Sequence, residues 1–585
     1  MGIERTIPIT RMPEPAFPPV PKASMKLTQT VLRWPLVMAF TFVATCATLA
    51  VAAPPDPSTL RQQLDALLAT RVAPDVPGTA LLVARGDTLL YRSARGLASV
   101  ELAVPLAPEH AFRIGSITKQ FAAATLLKLV DEGRARLDDP LSKYLHDFPN
   151  GSAITLTQLL NHSSGVKSYT GIPGYMGNPV RSDKTTAEML AVFRDLPADF
   201  APGADWSYNN SGYVLVGAVI EAITKRPWHE AVVARLQPLG ITHTVFGDNG
   251  AVIAGMADGY SVGDGGKVAR AGLISMTQPH AAGALVSTLD DLWRWNLALH
   301  RGQVLSADSY RRMSTPEGAP AQKAHYGFGL MTGTVRGQAG LLHGGGIHGY
   351  QTMLLWLPAQ QLTVVVLRNS DGPGLDPGTL ARQAAALALG DPYPDGPTVA
   401  PDAAALARWA GRWRRADGGG DEAVIRVAGP ALTVQAGGGS PRPARPIDGG
   451  RFVSERNLSR IEFDPADSKR ARFFPDGEGP GEAWQRVGDV PAERPSLALD
   501  PAQQQALLGS YSSPQFSFKV FLDAQGVLRG QAPGQPALQL HAQSPRQLYV
   551  KEVDANFEFE PAEGAAAALL LTQGRTKLRL VRQAP

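Results

Sequence analysis

The sequence predicts an α+β region followed by two small antiparallel β-barrels. Strand-like segments interrupted by short polar turns occur at 78–91 and 351–367, and such segments pair as antiparallel hairpins. A long apolar run after Ser116 predicts a helix that is buried on nearly all sides. From about residue 393 helical periodicity disappears, and short strands separated by Gly, Pro and Asp turns replace it.

The N-terminal 52 residues read as a leader and not as part of a folded domain. Residues 1–24 are proline-rich and polar, and we expect them to be a non-native extension. Residues 25–52 resemble a secretory signal, with a positive start, an apolar stretch and a small-x-small cleavage site. This pattern predicts a periplasmic or secreted protein with no membrane span after cleavage. An uncleaved anchor and a lipoprotein are the alternatives, although the residues before Cys46 make a poor lipobox.

The elements that follow can be read in chain order. Asp56 is a predicted N-cap for an amphipathic helix that carries leucines at 60, 64, 67 and 68. The hairpin at 78–91 comes next, and then the apolar helix, which we expect to stop near Gly133. Later helices are predicted at 214–223, from 289 onward and at 380–389.

Composition excludes several classes of function. A length of 585 residues suits two to four domains, and a net charge of +4 is mild over that length. No block of Lys and Arg residues occurs, so we expect no nucleic-acid partner. The single cysteine, Cys46, lies in the predicted signal, which leaves no thiol for disulfides or catalysis in the mature chain. The 11 histidines form no His-x-x-x-His pair, and we expect no metal and no other cofactor.

Three folded domains are predicted, at 57–392, 402–489 and 500–585. The last two share a faint repeat, in which three positions recur 98 residues later: Asp402 and Asp500, Gly411 and Gly509, and Trp413 and Tyr511. A hairpin-like stretch follows each copy, so the repeat predicts two β-barrels of one type. Chance similarity in a Gly- and Ala-rich tail is the alternative.

The motif Ser116-x-x-Lys119 opens the apolar helix. Residues i and i+3 share a helix face, so we expect the Lys119 ammonium beside the Ser116 hydroxyl. A lysine buried enough to lose its proton activates a serine nucleophile. The spacing alone is weak evidence, because a Ser/Lys pair also opens ordinary core helices. A second copy at Ser164 and Lys167 is interpreted as a turn, since glycine follows the serine and no helical run continues.

Two further motifs stand downstream, Tyr208-x-Asn210 and His343-x-Gly345. The ordered trio resembles the penicillin-recognising serine hydrolases, and within them the branch of class C β-lactamases, related esterases and D-aminopeptidases. The resemblance covers roughly residues 78–389. It implies a β-lactamase/transpeptidase-like catalytic domain, in which helices flank an antiparallel sheet and a second part is all-helical.

The resemblance implies a role for each motif residue. Ser116 would attack a carbonyl and form an acyl-enzyme, while Lys119 and Tyr208 would share the proton transfer. Nearby ammonium groups would depress the pKa of Tyr208. Asn210 would orient Lys119 and the substrate amide. No Glu-x-x-Leu-Asn stretch lies between the first two motifs, so a deacylating glutamate of the class A kind is not expected.

His343 stands where many relatives carry a lysine. A lysine there would hold a substrate carboxylate, whereas a histidine is mostly uncharged at neutral pH. The resemblance therefore implies an aminopeptidase or esterase, and not an enzyme that grips peptide C-termini. Gly345 would let the substrate approach the strand edge, and the N–H groups of Ser116 and Gly346 would form the oxyanion hole. His348 is expected at the rim of the site.

The tail sharpens the resemblance. A catalytic domain of this branch followed by two barrels is similar to the bacterial D-aminopeptidases, in which a loop of the last barrel reaches the active site. We expect that loop within 544–559, where Glu552 and Asp554 would pair with a substrate ammonium; a plain surface loop is the alternative.

Together these features predict an exported serine hydrolase that acts on small amide or ester substrates. A D-aminopeptidase with a small-molecule or short peptide substrate is the favoured form, and a homodimer is left open. The alternatives are an esterase or weak β-lactamase on the same site, and a β-lactam or cell-wall sensor without turnover.

Overall fold

A computed structural model describes most of the chain from residue 55 onward. The description omits residues 1–54, 264–265, 373–374, 395–401, 420–421, 437–440, 449, 455–456, 493, 495, 514–515, 524, 533–536, 552, 574–575 and 584–585. The expected extension at 1–24, the expected signal at 25–52, Cys46 and Glu552 therefore lie outside the described residues.

Helices begin at the capping residues that the sequence places there. At the first helix, Asp56 accepts hydrogen bonds from the backbone N–H groups of Ser58 and Thr59, each at 3.0 Å. Thr288 caps a later helix in the same way, and Gly390 ends another in the left-handed conformation. In chain order the helices are α1 (Pro57–Arg71), α2 (Thr118–Asp131), α3 (Leu156–Leu160), α4 (Thr186–Ala191), α5 (Asn210–Thr224), α6 (Trp228–Leu236), α7 (Leu289–His300), α8 (Ala307–Ser314), α9 (Gly318–Ala324), α10 (Pro377–Leu389), α11 (Ala403–Trp409) and α12 (Pro501–Leu507).

The strands of the N-terminal region form one large sheet and several short ones. The large sheet has the order β10-β11-β12-β13-β1-β2, and every neighbouring pair in it is antiparallel. In chain order the strands are β1 (Thr79–Arg85), β2 (Thr88–Arg95), β3 (Leu97–Ser99), β4 (Val104–Pro105), β5 (Phe112–Arg113), β6 (Val245–Phe246), β7 (Tyr260–Val262), β8 (Val268–Arg270), β9 (Leu285–Ser287), β10 (Met331–Val335), β11 (Gln338–Ile347), β12 (Tyr350–Leu357), β13 (Leu362–Arg368) and β14 (Ser370–Asp371).

The large sheet is covered on both faces because its central strands are apolar throughout. Along β1, Leu81 and Val83 pack in one core cluster with residues of α1 and α10, such as Leu64 and Leu380. The alternate side chains of the same strand point into a second, larger cluster that includes Phe121 and the other buried residues of α2. The helical part of the domain, α2 to α6, thus lies on the opposite face from α1 and α10.

Helix α2 is the centre of that larger cluster. Its residues 118–127 are all buried, so the predicted burial on nearly all sides is confirmed. The helix starts two residues later than Ser116, which lies on a short 3-10 turn at Gly115–Ile117. Helix α5 starts at Asn210, four residues before its apolar run, because the Asn209 side chain caps it by accepting from Gly212 N at 2.8 Å.

Two barrel-like sheets follow. Strands β15 to β22 close into an antiparallel barrel, and β23 to β31 form a sheet with the order β26-β25-β24-β23-β31-β30-β29-β28-β27 that nearly closes. The strands are β15 (Gly411–Arg415), β16 (Glu422–Ala428), β17 (Ala431–Ala436), β18 (Arg442–Asp448), β19 (Arg451–Ser454), β20 (Arg460–Phe463), β21 (Arg470–Phe474), β22 (Glu482–Gly488), β23 (Gly509–Ser512), β24 (Ser517–Leu522), β25 (Leu528–Gln531), β26 (Leu538–Gln539), β27 (His541–Ala542), β28 (Gln547–Val550), β29 (Ala555–Glu560), β30 (Ala568–Gln573) and β31 (Thr576–Arg582).

The faint sequence repeat corresponds to one local structure that occurs at the start of both sheets. In each copy an aspartate caps a seven-residue helix that leads into the first strand. The aromatic side chain of that strand then donates back to a helix carbonyl: Trp413 Nε1 to Trp409 O at 3.0 Å, and Tyr511 Oη to Leu507 O at 2.7 Å.

The first barrel contacts the hairpin of β10 and β11 through one carboxylate. Glu478 accepts hydrogen bonds from Thr334 Oγ1 at 2.7 Å, from Tyr393 Oη at 3.1 Å and from the backbone N–H of Arg336. Arg336 in turn pairs with Asp391 at 2.8 Å. The contact therefore joins the barrel to the rim of the large sheet and leaves the opposite end of β11 free. Across the described ranges, no helix has the length and apolar character that a membrane crossing requires.

Candidate active site

Ser116 is held on a tight turn that the sequence around it requires. Gly115 has a φ of 51°, in the left-handed region that favours glycine. A Cβ at this position would lie 2.8 Å from the backbone nitrogen of Gly346 on β11. The turn is fixed on its other side because Ile114 N donates to Leu285 O at 3.0 Å. These contacts bring Ser116 against the end of strand β11.

Lys119 lies beneath Ser116 with no exposed surface. Its Nζ is 3.0 Å from Ser116 Oγ, 2.8 Å from Asn210 Oδ1 and 2.8 Å from the carbonyl oxygen of Ala282. Burial lowers the pKa of Lys119 well below its ordinary value, because a desolvated ammonium is costly. The structure therefore brings three of the predicted site residues, Ser116, Lys119 and Asn210, into direct contact.

The geometry around Nζ suits a neutral amine. Both carbonyl-type oxygens, those of Asn210 and Ala282, can only accept, so they take the two N–H groups of an uncharged amine. The lone pair of such an amine would face Ser116 Oγ, 3.0 Å away, in a position to accept its proton. The amide of Asn210 is held in this orientation because its Nδ2 donates to Thr170 Oγ1 at 3.2 Å.

Tyr208 lies at the mouth of this cluster, with 36% of its surface exposed. Its ring is 4.8 Å from Lys119 Nζ. Desolvation of the hydroxyl raises the pKa of Tyr208 above its ordinary value, and a hydrogen bond with Ser116 opposes that shift only in part. The predicted depression of this pKa is therefore wrong, because the neighbouring lysine favours its neutral form and supplies no lasting positive charge.

His343 is turned away from the cleft into an aromatic cluster. It is 3% exposed; its Nδ1 donates to Gly344 O at 2.6 Å, so its Nε2 accepts from Tyr326 Oη at 2.9 Å. Burial lowers the pKa of His343 to about 4. The histidine is therefore uncharged at neutral pH, as expected of histidine from the sequence. Its ring is buried beneath the strand and does not line the cleft.

Sequence reasoning missed the residues that surround His343. Tyr326 is 1% exposed, and its ring lies 4.5 Å from that of His162 and 6.1 Å from that of Tyr208. His162 is 1% exposed, and burial lowers its pKa well below the ordinary value. No local motif marks Tyr326, because it comes to this place through the loop between α9 and β10.

The two glycines of β11 that were predicted to meet the substrate differ in their surroundings. A Cβ on Gly345 would lie 2.0 Å from Ile114 O and 2.4 Å from Thr352 Oγ1, so this position admits no side chain. A Cβ on Gly346 would meet nothing within 4 Å. Gly346 is exposed and faces the open end of the strand, where β10 no longer pairs with β11.

A cleft of about 330 Å³ opens beside Ser116. Of the predicted residues, Ser116, Asn210, Gly346 and the rim residue His348 line it, whereas Tyr208, His343 and Gly345 lie behind or beside it. Its walls are otherwise apolar or uncharged except for Asp371. Asp371 was not predicted from the sequence. It lies on β14, just beyond the end of β13, which is a strand of the large sheet.

The described residues of the predicted gating loop, 544–551 and 553–559, do not line this cleft. The lining residues lie between 116 and 371, and none belongs to the described part of the last barrel. Asp554 instead pairs with Arg494 at 3.4 Å, a contact within the C-terminal region. Among the described residues, no group of histidine, cysteine, aspartate and glutamate side chains is arranged to hold a metal ion.

Comparison with known proteins identifies the family. The sequence matches the family model described as Beta-lactamase over residues 64–389, which is more than half of its 585 residues. The chain therefore belongs to the beta-lactamase family of serine hydrolases. The predicted α+β fold with a β-lactamase/transpeptidase-like domain and two antiparallel barrels is confirmed.

Curated and solved relatives agree with this assignment. A D-aminopeptidase of Gluconobacter oxydans (strain 621H) is 30% identical over 336 residues, which cover 56% of this chain and 62% of that protein. The match thus spans less than two thirds of the relative's own length.

Two solved structures share the fold. The octameric penicillin-binding protein homologue from Pyrococcus abyssi has a TM-score of 0.52 at 25% identity, over 74% of this chain and all of that chain. The D-amino acid amidase from Ochrobactrum anthropi SV3, complexed with D-phenylalanine, has a TM-score of 0.50 at 25% identity, over 57% of this chain and 98% of that chain.

Proposed function

We propose that this chain hydrolyses small amides or esters through an acyl-enzyme on Ser116, and that its preferred substrates carry a D-residue with a free amine. The observation that carries the proposal is the buried Lys119 amine, whose Nζ lies 3.0 Å from Ser116 Oγ and is held by two acceptors. A lysine with a lowered pKa next to a serine hydroxyl is the arrangement that serine activation needs.

The reaction would proceed in two halves. Ser116 Oγ attacks the carbonyl carbon while its proton moves to Lys119 Nζ, and the tetrahedral oxyanion forms at the end of β11. The N–H groups of Ser116 and Gly346 are the donors proposed for it, because Gly115 brings the two backbones together. Breakage of the C–N or C–O bond passes the proton to the leaving group and leaves the acyl-enzyme. Water then attacks this ester and gives a proton to Lys119 Nζ; the bond between the acyl carbon and Ser116 Oγ breaks, the acid leaves, and Lys119 passes the proton to Ser116 Oγ.

Tyr208 is proposed as a proton carrier and not as the initial base. Desolvation raises its pKa, so its hydroxyl keeps its proton at neutral pH. Its position at the mouth of the cluster suits donation to the leaving group and activation of the incoming water. Lys119 is then the base, and Asn210 fixes its direction.

Two observations support amine-bearing substrates. His343 replaces the lysine that many relatives carry and is uncharged and buried, so the position supplies no fixed cation for a substrate carboxylate. The relatives named above include a D-aminopeptidase and a D-amino acid amidase. We further propose export, on the signal-like pattern at 25–52, and the domain boundaries 57–392, 402–489 and 500–585.

The test is a panel of three substrates given to the wild type and to Ser116→Ala. The panel contains D-alanine p-nitroanilide, p-nitrophenyl acetate and benzylpenicillin. We expect turnover of the first two by the wild type, and a loss of about 10⁴-fold or more in kcat in Ser116→Ala, because the nucleophile is removed. Ser164→Ala is the matched control, since Ser164 shares the Ser-x-x-Lys spacing but its Lys167 pairs with Asp199 at 2.7 Å.

Each other pattern of activity contradicts part of the proposal. Full activity in Ser116→Ala would contradict the mechanism. Turnover of the ester alone would favour an esterase over an aminopeptidase. A stable penicilloyl adduct without turnover of the other two substrates would favour a sensor.

A further inference from the structure

We propose that Asp371 binds the free ammonium group of the substrate and so selects amine-bearing acyl donors. This inference rests on the proposed function and names the side chain that binds the substrate amine. Asp371 is on β14, directly after the sheet strand β13, and is partly exposed. Among the described residues that line the cleft with Ser116, it carries the one carboxylate.

One oxygen of Asp371 is fixed by the fold. Asp371 Oδ2 accepts a hydrogen bond of 2.6 Å from the backbone N–H of Gly349, in the turn between β11 and β12. Gly349 is itself closely packed, because a Cβ there would lie 2.7 Å from Ala271 and 2.8 Å from Gly259. This bond orients the carboxylate without neutralising it and leaves Oδ1 for a ligand.

The local charges do not balance without a further cation. Arg368 is the nearby cation, but it donates to Gln351 Oε1 at 3.0 Å and Leu375 O at 2.8 Å, and among the described residues Asp371 forms no ion pair. Burial lowers the pKa of Arg368, and the charges of both Asp371 and Asp376 oppose that shift. Both carboxylates therefore lie near one guanidinium, and Asp371 has no ion-pair partner of its own among the described residues.

A protonated amine on the substrate would supply the positive partner that the Asp371 carboxylate lacks among the described residues. An ammonium group that meets a partly desolvated carboxylate makes a charge-assisted hydrogen bond, which is stronger than a neutral one. The other wall of the cleft at this end is His348, whose Nδ1 lies 3.2 Å from Gly272 O. A cleft of about 330 Å³ is at the lower end of the usual range for ligand pockets, which suits one or two amino-acid residues.

The proposal assigns the ammonium-binding role to the catalytic domain itself. The sequence placed that role in the last barrel, at Glu552 and Asp554, whereas Asp554 pairs with Arg494 and does not line the cleft. Asp371 needs no contribution from the barrels, because the residues that position it lie between 259 and 371.

The test compares wild type and Asp371→Asn on three substrates in the full chain. D-alanine p-nitroanilide carries the free amine, N-acetyl-D-alanine p-nitroanilide has it blocked, and p-nitrophenyl acetate has none. The asparagine keeps the acceptor for Gly349 N–H and removes the charge. We expect kcat/KM on the free amine to fall by about 10- to 100-fold, mostly through KM, with changes within about 2-fold on the other two.

Asp376→Asn is the matched control. It removes the other carboxylate that acts on Arg368, yet Asp376 caps α10 through Thr379 N at 2.7 Å and does not line the cleft. It should keep the wild-type preference for the free amine.

The remaining outcomes would contradict the inference. Equal losses on all three substrates would assign Asp371 a purely structural role, and an unchanged free-amine kcat/KM would remove it from recognition; either overturns the inference. If the ester is still turned over through Ser116 in either of these two outcomes, the inference fails and the proposed function survives. If the wild type acylates with none of the substrates, the proposed function fails first and the inference falls with it.

Discussion

At the scale of single residues, the chemistry depends on the protonation state of Lys119. A fully buried lysine is held uncharged by the cost of desolvating its ammonium. The lone pair can then point at Ser116 because the two N–H groups are taken by Asn210 and Ala282. Since the folded-state pKa of Lys119 is lowered, the base form persists well below the ordinary pKa of a lysine and is lost as the pH falls through the lowered value.

This state of Lys119 predicts the pH dependence of activity. In the wild type, kcat/KM should fall on the acidic side as Lys119 takes up a proton, and should be level above the lowered pKa. In Lys119→Arg the guanidinium stays charged at every accessible pH. We expect kcat/KM to fall by about 100- to 10,000-fold, with no recovery at alkaline pH. Initial rates on p-nitrophenyl acetate across the pH range of the folded protein measure this; an alkaline recovery in Lys119→Arg would contradict it.

The chemistry of single residues could be predicted only in part from the sequence. The motif spacing placed Ser116 beside Lys119 correctly, because i and i+3 neighbours on a helical turn meet in any fold, whereas Asn210 was placed there by the family resemblance. It gave the wrong direction for the pKa of Tyr208, since that pKa depends on how much water surrounds the hydroxyl. Asp371 and the carbonyl of Ala282 were out of reach for a similar reason: both join the site only through tertiary packing.

At the scale of elements, we expect the end of β11 to determine how a substrate lies. The strand is paired with β10 up to Leu342 and is free beyond it, so residues 343–347 present an unpaired edge next to Ser116. Gly345 is packed against Ile114 and Thr352, whereas Gly346 is open. The first glycine therefore positions the strand against the nucleophile turn, and the second leaves room for the substrate.

The two glycines predict opposite effects of the same substitution. Gly345→Ala places a methyl group within 2.4 Å of two oxygens, so we expect the free energy of unfolding to fall by about 1 to 3 kcal/mol and activity to be largely lost. Gly346→Ala meets no atom and should change the free energy of unfolding by no more than about 0.5 kcal/mol. Thermal and urea denaturation with activity assays measure both. Equal stability of the two variants would contradict the packing described here.

Elements with strong periodicity were predictable, and those without it were not. The hairpins β1–β2 and β12–β13 and the helices α2 and α10 follow from apolar patterns, turns and caps that lie close together in sequence. The short strands β3 to β9 gave no such signal, because strands of two or three residues are stabilised by their neighbours in space. Tyr326 gave no sequence signal either, because it lies on a loop that packs against the site.

At the scale of the whole molecule, the first barrel meets the N-terminal region away from the cleft. The described residues that line the cleft lie between 116 and 371. The first barrel contacts the rim near Thr334 and Arg336 through Glu478, and its Leu458 packs against the apolar cluster of α1 and α10. The repeat that begins both barrel regions was visible in sequence because its Asp cap and its aromatic residue are used in the same way twice. How the first barrel meets the catalytic region could not be predicted, since single contact residues such as Glu478 and Leu458 carry no recognisable pattern.

The central claim is that the fold activates Ser116 and no other serine. Its most direct measurement is labelling of the full chain with a fluorophosphonate, followed by intact mass and peptide mapping. The account predicts a single adduct that maps to Ser116, persists in Ser164→Ala and is absent from Ser116→Ala. An adduct that persists in Ser116→Ala, or that maps to another residue in the wild type, would contradict it.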